Sequence, residues 1–238
     1  MAEEINEPDR VPGAPHPRET PSLIGQEAAE AEFLDGFNTG RMHHAWMLTG
    51  PRGVGKATLA WSIARFLLAT PDPDGGDMFG PPVLPTSLHI DPEHPVARRI
   101  SAGADPGLIS VTRTPNEKTG RMRDQIVVDD IRKLTGFFQM SATDGGRRVV
   151  IIDAADDMNT QAANALLKML EEPPERCTLL LITHQPSGLL PTIRSRCRTL
   201  RLGTLNSEQM HSAMVQAKVE ADANAAALAE LSGGSVGE

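Results

Sequence analysis

The chain has 238 residues, with 23 Lys and Arg against 31 Asp and Glu and a formal net charge of −8. So acidic a chain excludes diffuse adhesion to nucleic acid and leaves only a local basic patch for that purpose. Its two cysteines, Cys177 and Cys197, make no disulfide framework and no zinc knuckle, and no apolar run approaches the ~18 residues that cross a membrane.

That length allows one large domain with a small appendage. Residues 1–21 carry prolines at 8, 12, 15, 17 and 21 and few apolar side chains, which predicts an extended or disordered arm rather than a secretion signal. A helix is expected over Gly25–Asn38, broken near Gly40. The short apolar run Ala45–Thr49 (AWMLT) suits a buried strand, and Ala57–Leu68 (ATLAWSIARFLL) carries apolar residues at helical spacing. Thr70–Pro95 is rich in Pro, Gly and Asp and predicts an insertion loop. A short helix over Val96–Ser101, a strand over Leu108–Thr112, a polar hairpin tip over Pro115–Asp124 and a helix over Asp129–Met140 follow.

The second half repeats the alternation. Arg148–Asp153 (RVVIID), Thr178–Thr183 (TLLLIT) and Arg198–Leu202 read as buried strands. A helix over Thr160–Glu171 sets Ala163, Leu166, Leu167 and Leu170 on one stripe and is stopped by Pro173 and Pro174. Buried strands alternating with helices predict an α/β fold: a parallel sheet covered on both faces over residues 22–203. Beyond Gly203 the pattern is helical only, at Ser207–Val219 and Ala223–Leu231, which predicts the start of a small helical domain over 204–238. There are no internal repeats.

Between the first strand and its helix stands GPRGVGKAT, Gly50 to Thr58. Gly50, Gly55 and Lys56 have the spacing of a phosphate-binding loop, and Gly53 adds a flexible backbone position. Amide groups of such a loop curl round phosphate oxygens, the lysine reaches the outer phosphates, and the next Ser or Thr holds magnesium. Here the next residue is Ala57, which offers no oxygen; Thr58 comes one place late. The RVVIID strand ends in Asp153, the position of a second magnesium-binding carboxylate. Ala154 and Ala155 follow where hydrolysis needs a glutamate, and Asp156 and Asp157 lie beyond the strand end, too far along to reach back. A third feature is Ser195-Arg196-Cys197, flanked by Arg194 and Arg198. It is either a solvated basic turn or an arginine placed to neutralise phosphoryl charge on a neighbouring molecule.

Two segments carry a resemblance. Asn164–Pro174 reads NALLKMLEEPP, and Leu180–Cys197 reads LLITHQPSGLLPTIRSRC. With LIGQ at Leu23–Gln26 and His44-Ala45 before the first strand, they resemble the bacterial clamp-loader AAA+ proteins of DNA replication, over roughly residues 20–238. Motor members of that family, gamma and tau, have Lys-Thr or Lys-Ser in the loop, Asp-Glu after the strand and a sensor arginine in the lid. This chain has Lys56-Ala57 and Asp153-Ala154, and GSVGE puts Gly237 at the sensor position, while Arg196 is retained. The resemblance therefore implies the delta-prime kind of DNA polymerase III subunit, with Arg196 acting in trans and little or no ATPase activity of its own. It further implies motor and delta subunits as partners, a sliding clamp and primed DNA reached through the complex, no membrane, and a cytoplasmic place. Residual weak binding of ATP, ADP or an anion is expected at Gly50, Gly53, Gly55, Lys56 and Thr58, with Asp153 as a remnant and no cofactor required.

The chain departs from the family twice. Thr70–Pro95 has no cysteine where many members carry a four-cysteine zinc module, so no zinc is expected. The sequence stops at Glu238, inside the lid and short of a C-terminal collar domain, so a truncated chain is expected. An active motor ATPase, an unrelated AAA+ remodeller and a structural AAA+ protein with a vestigial loop are the alternatives. Arg98, Arg99, Arg132, Lys133 and Lys168 are candidates for DNA contact, each against a plain solvated role.

Overall fold

The computed structural model describes residues 15–20, 22–71, 84–139 and 146–216. The expected helix at Ala223–Leu231, the end of the helix expected over Ser207–Val219, Gly237 and most of the arm lie outside these residues.

Five parallel strands form one sheet in the order β2-β3-β4-β1-β5. They are β1 (Ala45–Thr49), β2 (Leu108–Val111), β3 (Arg148–Asp153), β4 (Cys177–Thr183) and β5 (Arg198–Arg201). Every residue of β1 and β4 is buried, as continuous apolar runs covered on both faces require. The helices are α1 (Glu27–Asn38), α2 (Lys56–Ala69), α3 (Pro95–Ser101), α4 (Val128–Gln139), α5 (Thr160–Glu171), α6 (Pro191–Arg194) and α7 (Ser207–Gln216).

Side chains alternate across each strand and so feed two cores. Trp46, Leu48, Val149, Ile151, Leu180 and Ile182 pack with α1 and α2, whereas Met47, Val150, Ile152, Leu179 and Leu181 pack with α4 and α5. The α/β reading is borne out. The boundaries move by one or two residues where polar side chains outside the apolar period cap the elements. α3, for example, starts at Pro95 rather than Val96, where the His94 side chain accepts from the Val96 amide at 3.3 Å. α6 lies in a segment to which the sequence reading assigns no element, because four residues are too few to show a period.

The expected arm needs correction at its described end. Residues 15–20 pack against the domain, with a 3₁₀ turn at Pro17–Glu19. His16 is buried and meets the Trp61 ring edge-on at 5.7 Å. The buried Arg65 guanidinium donates to the carbonyls of Arg18 and Thr20, each at 2.8 Å, and to Ser62 Oγ at 3.1 Å. An arginine on the apolar face of α2 is thus satisfied by backbone that composition alone marks as loose.

Candidate functional site

The phosphate loop leaves β1 at its C-terminal end, and the ends of β3 and β4 lie on the same rim. Gly50 has φ 148° and its backbone runs so close to β5 that an added Cβ would sit 2.5 Å from the Leu202 carbonyl oxygen. Gly55 has φ 97° and a Cβ there would lie 2.6 Å from Leu23 Cδ1. Gly53 is also left-handed, at φ 72°. These glycines hold the loop in a shape side chains would block. Lys56 opens α2, one residue earlier than its apolar period indicates, and is buried. Its Nζ donates to the carbonyls of Gly50, at 2.8 Å, and Pro51.

Gln26, the last residue of LIGQ, braces this loop. Its Nε2 donates to Val54 O at 3.2 Å and Gly203 O at 2.8 Å, while its Oε1 accepts from Gly203 N at 3.0 Å. One buried amide therefore ties the loop to the segment that leads from β5 into α7.

Charge at the rim is tightly balanced. Burial pushes the Lys56 amine down to about 8, against the pull of Asp153 and then Asp156, with Arg52 adding to the fall. Burial also takes the His184 imidazole down to about 4, and Lys56 reinforces this. His184 is therefore neutral at pH 7. Thr183 Oγ1 and His184 Nδ1, at the end of β4, are buried without a hydrogen-bond partner among the described residues.

Asp156 is a correction. It does reach back: its carboxylate accepts from the backbone N–H of His184 at 3.1 Å and of Gln185 at 2.9 Å. A 3₁₀ turn over Ala155–Asp157 swings it round, which the sequence does not announce. Asp157 turns the other way and pairs with Arg113 at 3.4 Å. Thr58 stands one residue beyond Ala57 and is rotated by about 100° round α2, away from the magnesium position. The rim thus fits an anion, which loop amides and Lys56 can hold; of the two magnesium positions Asp153 keeps its carboxylate and Ala57 supplies no oxygen, and Ala154 supplies no carboxylate to activate water.

Arg196 occupies the opposite end of the sheet. It precedes β5, whose Arg198 pairs with Trp46 and whose Arg201 pairs with Thr49. Roughly 10 Å of strand separates the two ends, so Arg196 faces away from its own loop. Its side chain is 36% exposed and bonded to Glu171 Oε1 at 3.1 Å and Thr192 O at 3.0 Å. Ser195 fixes the turn by donating to Thr192 O at 3.1 Å. Cys197 packs against the α4–α5 core, and burial pushes both cysteine thiols up to about 12, so neither is a thiolate. Glu171 belongs to NALLKMLEEPP, so the two distinctive segments meet at this salt bridge.

A family model described as "DNA polymerase III, delta subunit" matches residues 25–206. The chain belongs to that family. The DNA polymerase III subunit delta' of Pseudomonas aeruginosa is 41% identical over 154 residues, covering 65% of this chain and 41% of that protein. The tau subunit of Escherichia coli K12 is 31% identical over 194 residues, covering 82% of this chain and 27% of that protein. The chain therefore spans less than half the length of these curated relatives. Among solved structures, a gamma subunit-related protein of Thermotoga maritima superposes with TM-score 0.50 at 20% identity, over 86% of this chain and 57% of its own. A variant of RuvB from the same organism gives 0.51 at 19%, over 94% and 62%. Both likenesses concern the fold.

Within this delta-subunit family member, the predicted site residues divide in two. Gly50, Gly53, Gly55, Lys56 and Asp153 gather at one rim, and Arg196 stands alone at the far end. Thr183, His184 and Glu171 were missed, and Asp156 was named but set aside as out of reach. The polar pair Thr-His closing the apolar run TLLLI was the available signal for Thr183 and His184.

Proposed function

We propose that this chain is a delta-prime-like, non-hydrolysing subunit of a clamp loader, which places a sliding clamp on primed DNA in replication. Its own loop holds a nucleotide or anion weakly, requires no cofactor and binds no zinc. Arg196 enters the ATP site of an adjoining gamma or tau motor subunit and stabilises transferring phosphoryl charge. The delta subunit completes the assembly, in the cytoplasm. One observation carries this reading. The retained arginine is half-exposed at the sheet end opposite a loop whose magnesium and water-activating positions are Ala57 and Ala154.

A motor reading needs Asp156 to replace the missing glutamate. That carboxylate is already occupied by two backbone amides, and releasing it would leave the His184 and Gln185 N–H groups unpaired. The purified chain is therefore expected to release phosphate from magnesium ATP at background rate. Ala57→Thr restores a hydroxyl but no carboxylate at Ala154, so it too is expected to stay at background. Clear magnesium-dependent turnover by either protein would refute the proposal.

The loop also has an expected pH profile. Lys56 must be charged to hold an anion, and its amine titrates near 8 in the free protein. Affinity for ADP or inorganic phosphate, once corrected for the ligand's own ionisation, is expected to be flat well below pH 8 and to fall as pH rises through it. Calorimetric titration at pH 7 and pH 9 checks this, and equal affinities would show that Lys56 takes no part.

A further inference from the structure

The exposed cations Arg98, Arg99, Arg132 and Lys133 pair with Glu93, Asp105, Asp129 and Asp130, each within its own stretch of chain. The Arg196–Glu171 pair differs. It joins the turn before β5 to the last residue of α5, and it occupies the guanidinium that a trans-acting role needs free.

The contacts around this pair allow it to part and re-form. Arg196 Nη2 meets Glu171 Oε1 at 3.1 Å, and Nη1 donates to Thr192 O at 3.0 Å. Ser195 Oγ donates to the same carbonyl at 3.1 Å, so Thr192 O keeps a partner when the arginine leaves. Glu171 is 46% exposed, so water can take over its carboxylate. The end of α5 stays where it is. Carbonyls in the last turn of a helix lack partners within it, and that of Leu170, next to Glu171, accepts from His44 Nε2 at 3.1 Å. His44 is part of the sheet's lower end: its own carbonyl accepts from Leu179 N at 2.8 Å, and the His43 ring stacks on it at 4.5 Å. With the backbone fixed on both sides, separation is a side-chain movement.

We infer that Glu171 is a parking acceptor for Arg196, standing in for a phosphoryl oxygen and competing with the terminal phosphate held by the neighbouring subunit. The inference rests on the trans-acting reading of Arg196. Carboxylate and phosphate oxygens accept the same charge-assisted hydrogen bonds from a guanidinium, so one can replace the other. A terminal phosphate carries about −2 against the single charge of a carboxylate. The arginine therefore commits to a neighbour that holds a terminal phosphate and returns to Glu171 once that phosphate has left. The exposure of the pair keeps the restraint weak enough to break.

The first test uses the full chain alone with phenylglyoxal, a dicarbonyl that modifies accessible arginines, read by peptide mass spectrometry. Exposed Arg41 is the internal reference. Glu171→Gln keeps the side-chain shape and removes the charge. It is expected to raise the modification rate at Arg196 relative to Arg41 by about two- to fivefold, the share of an exposed ion pair. Glu172→Gln removes the same charge from the next exposed residue and is expected to leave that rate unchanged. The second test uses the chain assembled with motor subunits. Glu171→Gln is expected to raise kcat/KM for ATP by a similar factor, a gain that structural damage would not produce, and to have no effect in an Arg196→Ala background. An unchanged rate at Arg196, equal rises in the two glutamine variants, or an unchanged or lower kcat/KM in Glu171→Gln would each overturn the inference. Failure of the trans-acting reading looks different: Arg196→Ala then leaves turnover unchanged, while modification of Arg196 still responds to Glu171→Gln.

Discussion

Arg196→Ala, assembled with motor subunits, is expected to lower ATP hydrolysis at the adjoining site on the order of 10³-fold and to suppress clamp loading. That corresponds to about 4 kcal/mol of transition-state stabilisation. The opposing cost is small. To act in trans the guanidinium must leave Glu171, whose side chain is 46% exposed, and a surface pair of this kind contributes about 0–1 kcal/mol. The same comparison predicts that folding is unaffected, since removing the side chain exposes no core. Thermal unfolding of the variant should match the parent, while single-turnover phosphate release from the complex should not. Arg196→Lys is expected to recover little, because a lysine keeps the charge but loses the planar fork that grips phosphoryl oxygens. Unchanged turnover in the alanine variant would leave the turn as a solvated basic feature.

Gly50→Ala is expected to be the most damaging single methyl addition. The new Cβ meets the Leu202 carbonyl oxygen at 2.5 Å, and φ 148° is a conformation side chains avoid. Neither strand can retreat, because Leu202 N is bonded to Thr49 O at 2.8 Å and both flanks sit in the sheet. Backbone strain and overpacking together cost roughly 2–5 kcal/mol. A fall in Tm on the order of 10 °C follows for a domain of this size. Gly40→Ala is the matched control. Its φ is 66° but nothing lies within 4 Å of the added methyl, so only the φ strain of about 1 kcal/mol applies. Equal Tm values for the two variants would show that the close approach at Gly50 carries no weight.

The sheet was legible because its strands are fully buried. A run such as TLLLIT can hardly be anything but the inside of a covered parallel sheet, and β4 is buried at every position. The phosphate loop was legible because its spacing is a local steric requirement. What escaped were polar contacts closed by distant chain. Asp156 looks stranded beyond the end of β3 until the turn over Ala155–Asp157 carries it to His184. Arg65 reads as a blemish on an apolar helix until residues 18 and 20 supply its acceptors. Arg196 was legible as a residue, but its orientation away from its own loop needed the register of β5 on β1. That register is set by packing across the sheet, not by any local pattern.

The same register sets the loop and Arg196 at opposite ends of the sheet. The loop rim carries Lys56 and Asp153, with Ala57 and Ala154 where a hydrolysing site would need a hydroxyl and a second carboxylate. The opposite end keeps one guanidinium, held lightly by a carboxylate on α5.

The most direct measurement is where that guanidinium lies in the assembled complex with an ATP analogue bound to the motor subunit. A structure of the complex is predicted to show Arg196 released from Glu171 and within hydrogen-bonding distance of the neighbour's terminal phosphate. Arg196 still folded onto its own α5, with a different residue at that phosphate, would contradict the account.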